Sequence, residues 1–443
     1  MFEFPAGRRL PVLLTVVSLV AACATGAGSS PSASVPQGPT PSITSSPSLS
    51  AGPTTAPTPT VAPTAPPEVG LAWSRVDDPD LVSQPRIGSM YGVIPGGPGA
   101  IAWGYIYGTG PRVWTTTDGL DWTRASVPAA TDAYLKEHNP GEVLDVTAGG
   151  PGYVAVGVYF RVGGDGNTSI VWTSVDGMTW TRIAHDPVFE LSLMEHVVAW
   201  NDQLFAYGCE NVTPVDCGPQ RVWASSDGLA WTIIQPTLPE GTNTVSSVTP
   251  SADRLWGRAW LYDESVPAEN PTAQVTVTST DGRTWLPSTL PVVVRGPLYP
   301  LTDALYMTVA PWPLPAPQFT PPPKPAGQPS PGVYRSTDLT TWTPRSVGLK
   351  TVGEDLIAVG DTMIMVGDNA AGNSDCWATC QATGWRSVDG GVTWQVVPAD
   401  KVGGTMTSVA ALPDGTLVSV GRTVDDRGWP STAAWVSPRG YSD

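Results

Sequence analysis

The sequence predicts an all-β fold, a seven-bladed β-propeller with four-stranded antiparallel blades, and three observations support this. One phrase recurs at intervals of roughly 50 to 58 residues, which is typical of stacked supersecondary units. Each interval holds four short runs of alternating residues separated by turn residues. Six copies of the phrase are intact, and the two ends of the propeller segment supply the parts of a seventh.

The phrase is a strand that ends in Ser or Thr, then an Asp, usually a Gly, and a Trp. In the second copy it runs from Trp172 to Trp180 and contains Asp176 and Gly177. The Asp can accept backbone N–H groups in a tight turn, and glycine tolerates positive φ. The fifth copy has Leu339 in place of glycine, which predicts a differently shaped turn. The six aspartates are Asp118, Asp176, Asp227, Asp281, Asp338 and Asp389.

The second repeat shows the strand order most plainly, with predicted strands at 143–147, 153–160, 169–174 and 179–183. The seventh blade is split. Its third strand precedes Arg439, which stands where Asp is expected, and residues 70–73 repeat the Gly-Leu-Ala-Trp of 228–231. We therefore expect the N-terminal strand to complete the last blade, which removes exposed sheet edges. Twelve tryptophans are predicted to form the core: residues 73, 114, 122, 172, 180, 223, 231, 285, 342, 385, 394 and 435.

The phrase resembles the Asp-box, or bacterial neuraminidase repeat, of sialidases and many other propellers. The copy around Asp389 matches the family pattern in full, and the other five are one residue shorter between Asp and Trp. The resemblance covers the chain from Trp73 onward and implies a sialidase-like propeller. It leaves the activity open, because the same box occurs in enzymes, receptors and assembly factors.

The N-terminal region predicts export and lipid anchoring. Arg8 and Arg9 precede an apolar run from Leu10 to Ala22, which has the length of a secretory signal. It ends in Val-Ala-Ala-Cys23, which resembles the bacterial lipobox and implies lipidation of Cys23. We expect a signal peptide at 1–22, a disordered Ser/Pro/Thr-rich tether at 23–68 and the propeller at 69–443, held at the cell envelope by the lipid.

Composition limits the partners. The chain has 23 basic and 39 acidic residues and a net charge of -16, which disfavours nucleic acid. A monomer without cofactor or metal is expected. Outside the cytoplasm, Cys209 with Cys217 and Cys376 with Cys380 favour two local disulfides. A metal site is the weaker alternative, because these spacings differ from those of structural zinc sites.

Most variation in loop length falls on one face of the predicted propeller, which we call the loop-rich face. It carries the connections between second and third strands and those between blades, whereas the Asp turns and short hairpins share the opposite Asp-turn face. Variable loops on a rigid scaffold commonly bind ligands. The binding candidates on the loop-rich face are Trp312, Trp377, Trp429, Arg86, Asp425, Asp426 and Arg427. The alternative is that each tryptophan packs its own loop.

The sialidase resemblance implies an arginine in the segment that opens the first blade. Arg86 lies there, but Gly88 replaces the proline of that family motif, and residues 87–117 contain no Asp or Glu to act as the early acid/base. No catalytic residue is therefore assigned. We favour a binding or scaffold module for a glycan or an envelope protein. The alternative is an exo-sialidase-like glycoside hydrolase with non-standard catalytic residues, and a third possibility is an assembly factor for a membrane complex.

Overall fold

A computed structural model describes most of the propeller segment, and all described residues belong to one compact unit, Thr64–Asp443. The predicted signal peptide and tether lie outside them. Within this part of the chain no helix has the length and hydropathy to cross a membrane. The described residues are 71–81, 87–128, 141–159, 166–211, 218–261, 273–288, 298–301, 304–309, 330–338, 341–347, 353–369, 380–425 and 427–438.

The predicted fold class is confirmed: the chain forms seven four-stranded antiparallel sheets. Within each sheet the strands pair in chain order, apart from the last blade. The first four blades are β2(Gly88–Gly96), β3(Gly99–Ile106), β4(Pro111–Thr116), β5(Trp122–Arg124); β6(Glu142–Gly149), β7(Gly152–Tyr159), β8(Thr168–Ser174), β9(Thr181–Arg182); β10(Ser192–Trp200), β11(Gln203–Glu210), β12(Gln220–Ser225), β13(Thr232–Ile234); and β14(Thr242–Pro250), β15(Leu255–Leu261), β16(Ala273–Ser279), β17(Leu286–Pro287).

The remaining three blades follow the same plan, and β1 of the last blade comes from the start of the propeller. They are β18(Leu298–Leu301), β19(Ala304–Val309), β20(Gly332–Ser336), β21(Thr343–Val347); β22(Asp355–Val359), β23(Thr362–Asp368), β24(Gln381–Ser387), β25(Gln395–Val402); and β26(Gly404–Ala411), β27(Leu417–Val424), β28(Pro430–Ser437), β1(Ser74–Arg75). The first strands of neighbouring blades contact one another around the whole ring, including β26 with β2.

The predicted closure of the seventh blade is confirmed. β1 pairs with β28 in antiparallel register, with Ser74 opposite Val436. The Ser437 hydroxyl accepts the N–H of Ala72 at 2.9 Å. In the first blade the equivalent N–H, that of Asp121, is bound by the Asp118 carboxylate. A serine from one end of the propeller and a backbone N–H from the other thus replace part of the missing Asp turn.

The Asp turns have the predicted hydrogen bonds. Asp176 Oδ1 accepts the N–H groups of Met178 and Thr179, each at 2.8 Å, and the Ser174 hydroxyl accepts that of Gly177. Gly177 has φ +75°, which a side chain would strain. These donors lower the pKa of Asp176. In the longer turn, the Thr393 hydroxyl and N–H lower the pKa of Asp389 to about 2.

Tryptophan burial follows the prediction with two exceptions. Ten of the twelve framework tryptophans are buried, whereas Trp342 and Trp394 are only partly buried in their clusters. Leu339 lies outside the described residues. In that fifth turn Asp338 still accepts the Thr341 N–H at 2.7 Å.

A β-bulge interrupts the first strand in five blades, after Met90, Val143, Met194, Ser246 and Met406. In four of them a glycine of the second strand faces the residue before the bulge, because a Cβ there would overlap a backbone carbonyl oxygen of the first strand. These glycines are Gly104, Gly157, Gly208 and Gly421. Blade four has Arg258 at this position, and its bulge contains Ser247 at φ +51°. In blade four, where Arg258 replaces the glycine, the backbone of the bulge therefore has a different geometry.

Candidate functional site

One predicted group on the loop-rich face is well formed. In the turn between β27 and β28, Asp425 Oδ1 accepts the N–H groups of Arg427 and Trp429, both at 2.9 Å. Its Oδ2 binds the Arg427 guanidinium at 3.0 and 2.7 Å. These backbone and guanidinium donors lower the pKa of Asp425. Trp429 remains 52% exposed, so the turn presents an indole that its own loop does not bury.

The other predicted loop residues cannot be placed beside it. Trp312, Trp377, Arg86 and Asp426 lie outside the described residues, as does the lipidation candidate Cys23. Their roles stay predictions.

Cys209 and Cys380 are both disulfide-bonded. Their expected partners, Cys217 and Cys376, lie outside the described residues. The two local pairings therefore remain predictions.

A cavity of about 450 Å³ lies in the central channel, lined mainly by first strands. Its volume is within the usual range for small-ligand sites. Strands of blades one, four, five, six and seven contribute, so no single repeat contains the site. The polar and aromatic lining includes Tyr91, Thr249, Tyr299, Glu354, Asp355, Thr407 and Ser408.

Two tyrosines stack at the loop-rich end of this channel. The rings of Tyr91 and Tyr105 are 5.5 Å apart between centroids with an interplanar angle of 27°. The Tyr91 hydroxyl donates to Glu142 Oε2 of the next blade at 3.3 Å. Burial and the Glu142 charge raise the pKa of Tyr91 far above its usual value, so the phenol is neutral. Burial also raises the pKa of Glu142.

The bulge explains the position of Tyr91. It is the extra residue between Met90 and Gly92, so it has no direct partner on β3. Gly92 also matters, because a Cβ there would meet the Trp103 ring. The Trp103 indole donates to the Leu144 carbonyl at 3.0 Å and ties blade one to blade two. Close packing of this indole thus supports the strand that carries Tyr91.

Glu354 immediately precedes β22 and faces the same cavity. The side chain is exposed to solvent, although enough protein lies around its carboxylate to reduce its solvation. This burial and the nearby Asp368 charge raise the pKa of Glu354, against the opposing charges of Arg422 and Arg258. The buried Nε atoms of these two arginines have no hydrogen-bond partner among the described residues. The two arginines act on Glu354 through their charges and are not among the residues that line the cavity.

Sequence reasoning did not select Tyr91, Tyr105, Glu354, Arg258 or Arg422. A usable signal was present, since Arg258 stands where four other blades have glycine. Tyr105 on β3 and Arg422 on β27 are also large polar residues on second strands that are otherwise mostly apolar. The sequence shows such departures only after the register of the bulges is known.

A larger cavity of about 810 Å³ opens on the Asp-turn face between blades three, four and five. Its polar groups are already satisfied: the Trp200 and Trp256 indoles donate to the Ser251 carbonyl and hydroxyl. Asp253 binds Arg254 at 2.6 Å. We therefore favour the channel as the candidate site, because Glu354 lines it and no described group donates a hydrogen bond to its carboxylate.

Within the described part of the chain, no group of three or more His, Cys, Asp or Glu side chains is arranged to hold a metal ion.

No family model and no curated protein matches the sequence. Three solved structures illustrate its structural similarities. They are a protein of unknown function from Dyadobacter fermentans (10% identity, TM-score 0.43, 85% of this chain and 100% of that one); YCF48 bound to a D1 peptide (13%, 0.45, 84% and 96%); and a Trypanosoma rangeli sialidase (11%, 0.44, 84% and 59%). These similarities concern the fold alone, which the strand pairing already establishes.

Proposed function

We propose that this chain is a binding module of the cell envelope, anchored by lipid at Cys23, that holds a glycan at the loop-rich end of its channel. The observation that carries the proposal is Tyr91, which lines the cavity of about 450 Å³, stacks on Tyr105 and donates a hydrogen bond to Glu142. Aromatic faces pack against the C–H surfaces of sugar rings, and carboxylates bind sugar hydroxyls. An extended segment of an envelope protein is the competing ligand.

Trp429 supports a ligand that extends beyond the channel. Its indole is exposed on the same face and held by the Asp425 turn, so little conformational entropy is lost when it is covered. A rigid exposed tryptophan is a common binding anchor. The predicted partner tryptophans, Trp312 and Trp377, would add to this surface.

The direction of β1 also fits the proposal. β1 pairs antiparallel with β28, and Ala72 contacts Ser437, beside the degenerate Asp turn. Leu71, where the described part of the chain begins, therefore lies on the Asp-turn face, opposite the proposed binding face.

Glycoside hydrolysis is the second candidate, favoured by the contact between Tyr91 and Glu142. A hydroxyl nucleophile needs an adjacent base, and Glu142 is within hydrogen-bond reach at 3.3 Å. The raised pKa of Tyr91 means that the phenol would require this base to react. Nothing in the described residues assigns the acid that would protonate the leaving group.

The test is a glycan panel and an envelope-extract pull-down with the full lipidated chain. Tyr91→Ala should weaken glycan binding by about 10- to 100-fold, because an aromatic stacking surface is lost. Trp312→Ala combined with Trp429→Ala should abolish retention of extended ligands. Tyr107→Ala is the matched control, since Tyr107 is a tyrosine that is 66% exposed outside the cavity lining.

Unchanged retention by correctly folded Tyr91→Ala and double-tryptophan variants would contradict the proposal. Turnover that disappears in Glu142→Gln while binding persists would identify the hydrolase instead. Co-purification of integral membrane subunits without any glycan retention would favour the assembly-factor alternative.

A further inference from the structure

An aspartate on one first strand binds the first strand of the next blade at the seam between blades six and seven. Asp355 Oδ2 accepts the Ser408 hydroxyl at 2.8 Å and the Val409 N–H at 2.9 Å. Asp355 Oδ1 accepts the N–H of Leu356, the next residue of its own strand, at 2.8 Å. The carboxylate is therefore held from both sides of the seam.

The seam between blades two and three has the same arrangement with one change. Asp145 Oδ2 accepts the Val197 N–H at 2.9 Å, and Asp145 Oδ1 accepts the Val146 N–H at 2.9 Å. The residue before Val197 is His196, whereas the residue at this position in blade seven is Ser408. His196 Nδ1 lies 3.7 Å from the same Asp145 Oδ2. An imidazole thus faces the carboxylate where the other seam has a hydroxyl.

This difference changes how the two seams respond to pH. A serine hydroxyl donates its hydrogen bond at any pH near neutrality, whereas an imidazole gains or loses a positive charge there. Protonated His196 forms an ion pair with Asp145, and neutral His196 does not. The side chains of His196 and Asp145 are 40% and 20% exposed, so solvent screens their attraction less than it screens a fully exposed pair.

The groups around His196 favour its protonated form. Glu195 precedes it on β10, Arg258 acts on it from blade four, and Tyr207 lies opposite it on β11. Burial lowers the pKa of His196, but the contact with Asp145 and the charges of Asp145 and Glu195 outweigh burial and the opposing charge of Arg258. The pKa of His196 is therefore raised. Burial also raises the pKa of Tyr207, which stays neutral.

We propose that His196 and Asp145 form a pH-responsive contact between blades two and three, which is stronger when the imidazole is protonated and weaker when it is neutral. An unfolded histidine titrates near about pH 6.5, below folded His196. The contact therefore stabilises the fold fully below the unfolded pKa, and this stabilisation is lost as pH rises through the folded pKa. The inference does not depend on the proposed glycan binding.

Histidine titration by NMR with the full chain tests the contact. The pKa of His196 should lie above about 6.5, and it should fall by about one or more in Asp145→Asn, because burial then acts without the neighbouring carboxylate. The signal that disappears in His196→Ser identifies His196. His185, which contacts Glu190 at 3.1 Å instead, is the control and should titrate identically with and without Asp145→Asn.

Thermal unfolding tests the effect on stability. His196→Ser gives blade three the residue that blade seven has, so the contact at the seam no longer titrates. Relative to the natural chain, this variant should lose about 1 to 3 °C more of its midpoint at about pH 6 than at about pH 8.5. Ser408→Ala is the matched control. It removes the hydroxyl donor of the other seam, so its loss should be the same at both pH values.

A pKa of His196 at or below about 6.5, or one that is unchanged in Asp145→Asn, would overturn the inference. A difference in midpoint between the natural chain and His196→Ser that is equal at both pH values would also overturn it. The titration of the natural chain needs no variant to fold stably. Glycan retention is measured separately, so failure of this inference and failure of the proposed function are distinguishable.

Discussion

Glu354 lines the channel in surroundings that disfavour its charged form. It faces the channel without a hydrogen-bond partner among the described residues, and burial with the Asp368 charge raises its pKa. Functional groups commonly carry such costs, which the surrounding fold offsets. The partnered Asp355, by contrast, joins two blades.

The pH dependence of stability follows from the direction of this shift. An unfolded glutamate titrates near pH 4.3, and the folded pKa of Glu354 is higher. Between these two values the unfolded chain has released the proton and the folded chain retains it. The folded state therefore loses relative stability as pH rises through this interval, and the loss is complete above the folded pKa.

We predict that Glu354→Gln raises the free energy of unfolding at pH 7 to 8 and leaves it unchanged below about pH 4, where both states are protonated. Urea unfolding across this pH range measures the difference. Glu240→Gln is the control, because Glu240 lies outside the cavity lining. A variant that is less stable than the natural chain at pH 7 would mean that the Glu354 carboxylate is stabilised by contacts that the account omits.

Bulged first strands supply part of the channel lining, including Tyr91 and Thr407. Each bulge adds one residue on the channel side, and in four blades a glycine on the second strand leaves room for it. Alternating patterns and turn residues predicted the strands, because those signals are local. The bulges escaped prediction because they depend on the register between two strands.

The glycine requirement can be tested at two equivalent positions. A Cβ at Gly208 would overlap the Leu193 carbonyl oxygen, whereas one at Gly367, in the unbulged blade six, would lie 3.1 Å from the Gly353 Cα. We expect Gly208→Ala to cost about 2 to 4 kcal/mol of unfolding free energy, because backbone must shift, and Gly367→Ala about 1 kcal/mol or less. Chemical denaturation of both variants measures this difference. Equal losses of unfolding free energy in the two variants would contradict the requirement for glycine opposite the bulge.

At the scale of the molecule, the repeat predicted the seven blades and their closure, since the Asp turn and the split seventh copy are written in contiguous residues. The Trp429 turn could also be predicted from the sequence, because Asp425 and Arg427, which form it, are close to Trp429 in the chain. The lining of the channel could not be predicted in this way. Tyr91, Glu354 and Thr407 line one cavity only because the ring is closed, and their separation in sequence gives no sign of this.

The channel and every proposal built on it require the closed ring, in which β28 pairs with both β27 and β1. The most direct test is the thermal unfolding midpoint of the full chain after deletion of residues 432–443, which removes most of β28. The control deletes the same number of residues, 24–35, from the predicted tether.

Loss of the closing strand should lower the midpoint by about 10 °C or more, because two strand pairings and buried Trp435 are lost, while the tether deletion should leave it unchanged. A chain shortened at 432–443 that unfolds within about 2 °C of the full protein would contradict the closed ring.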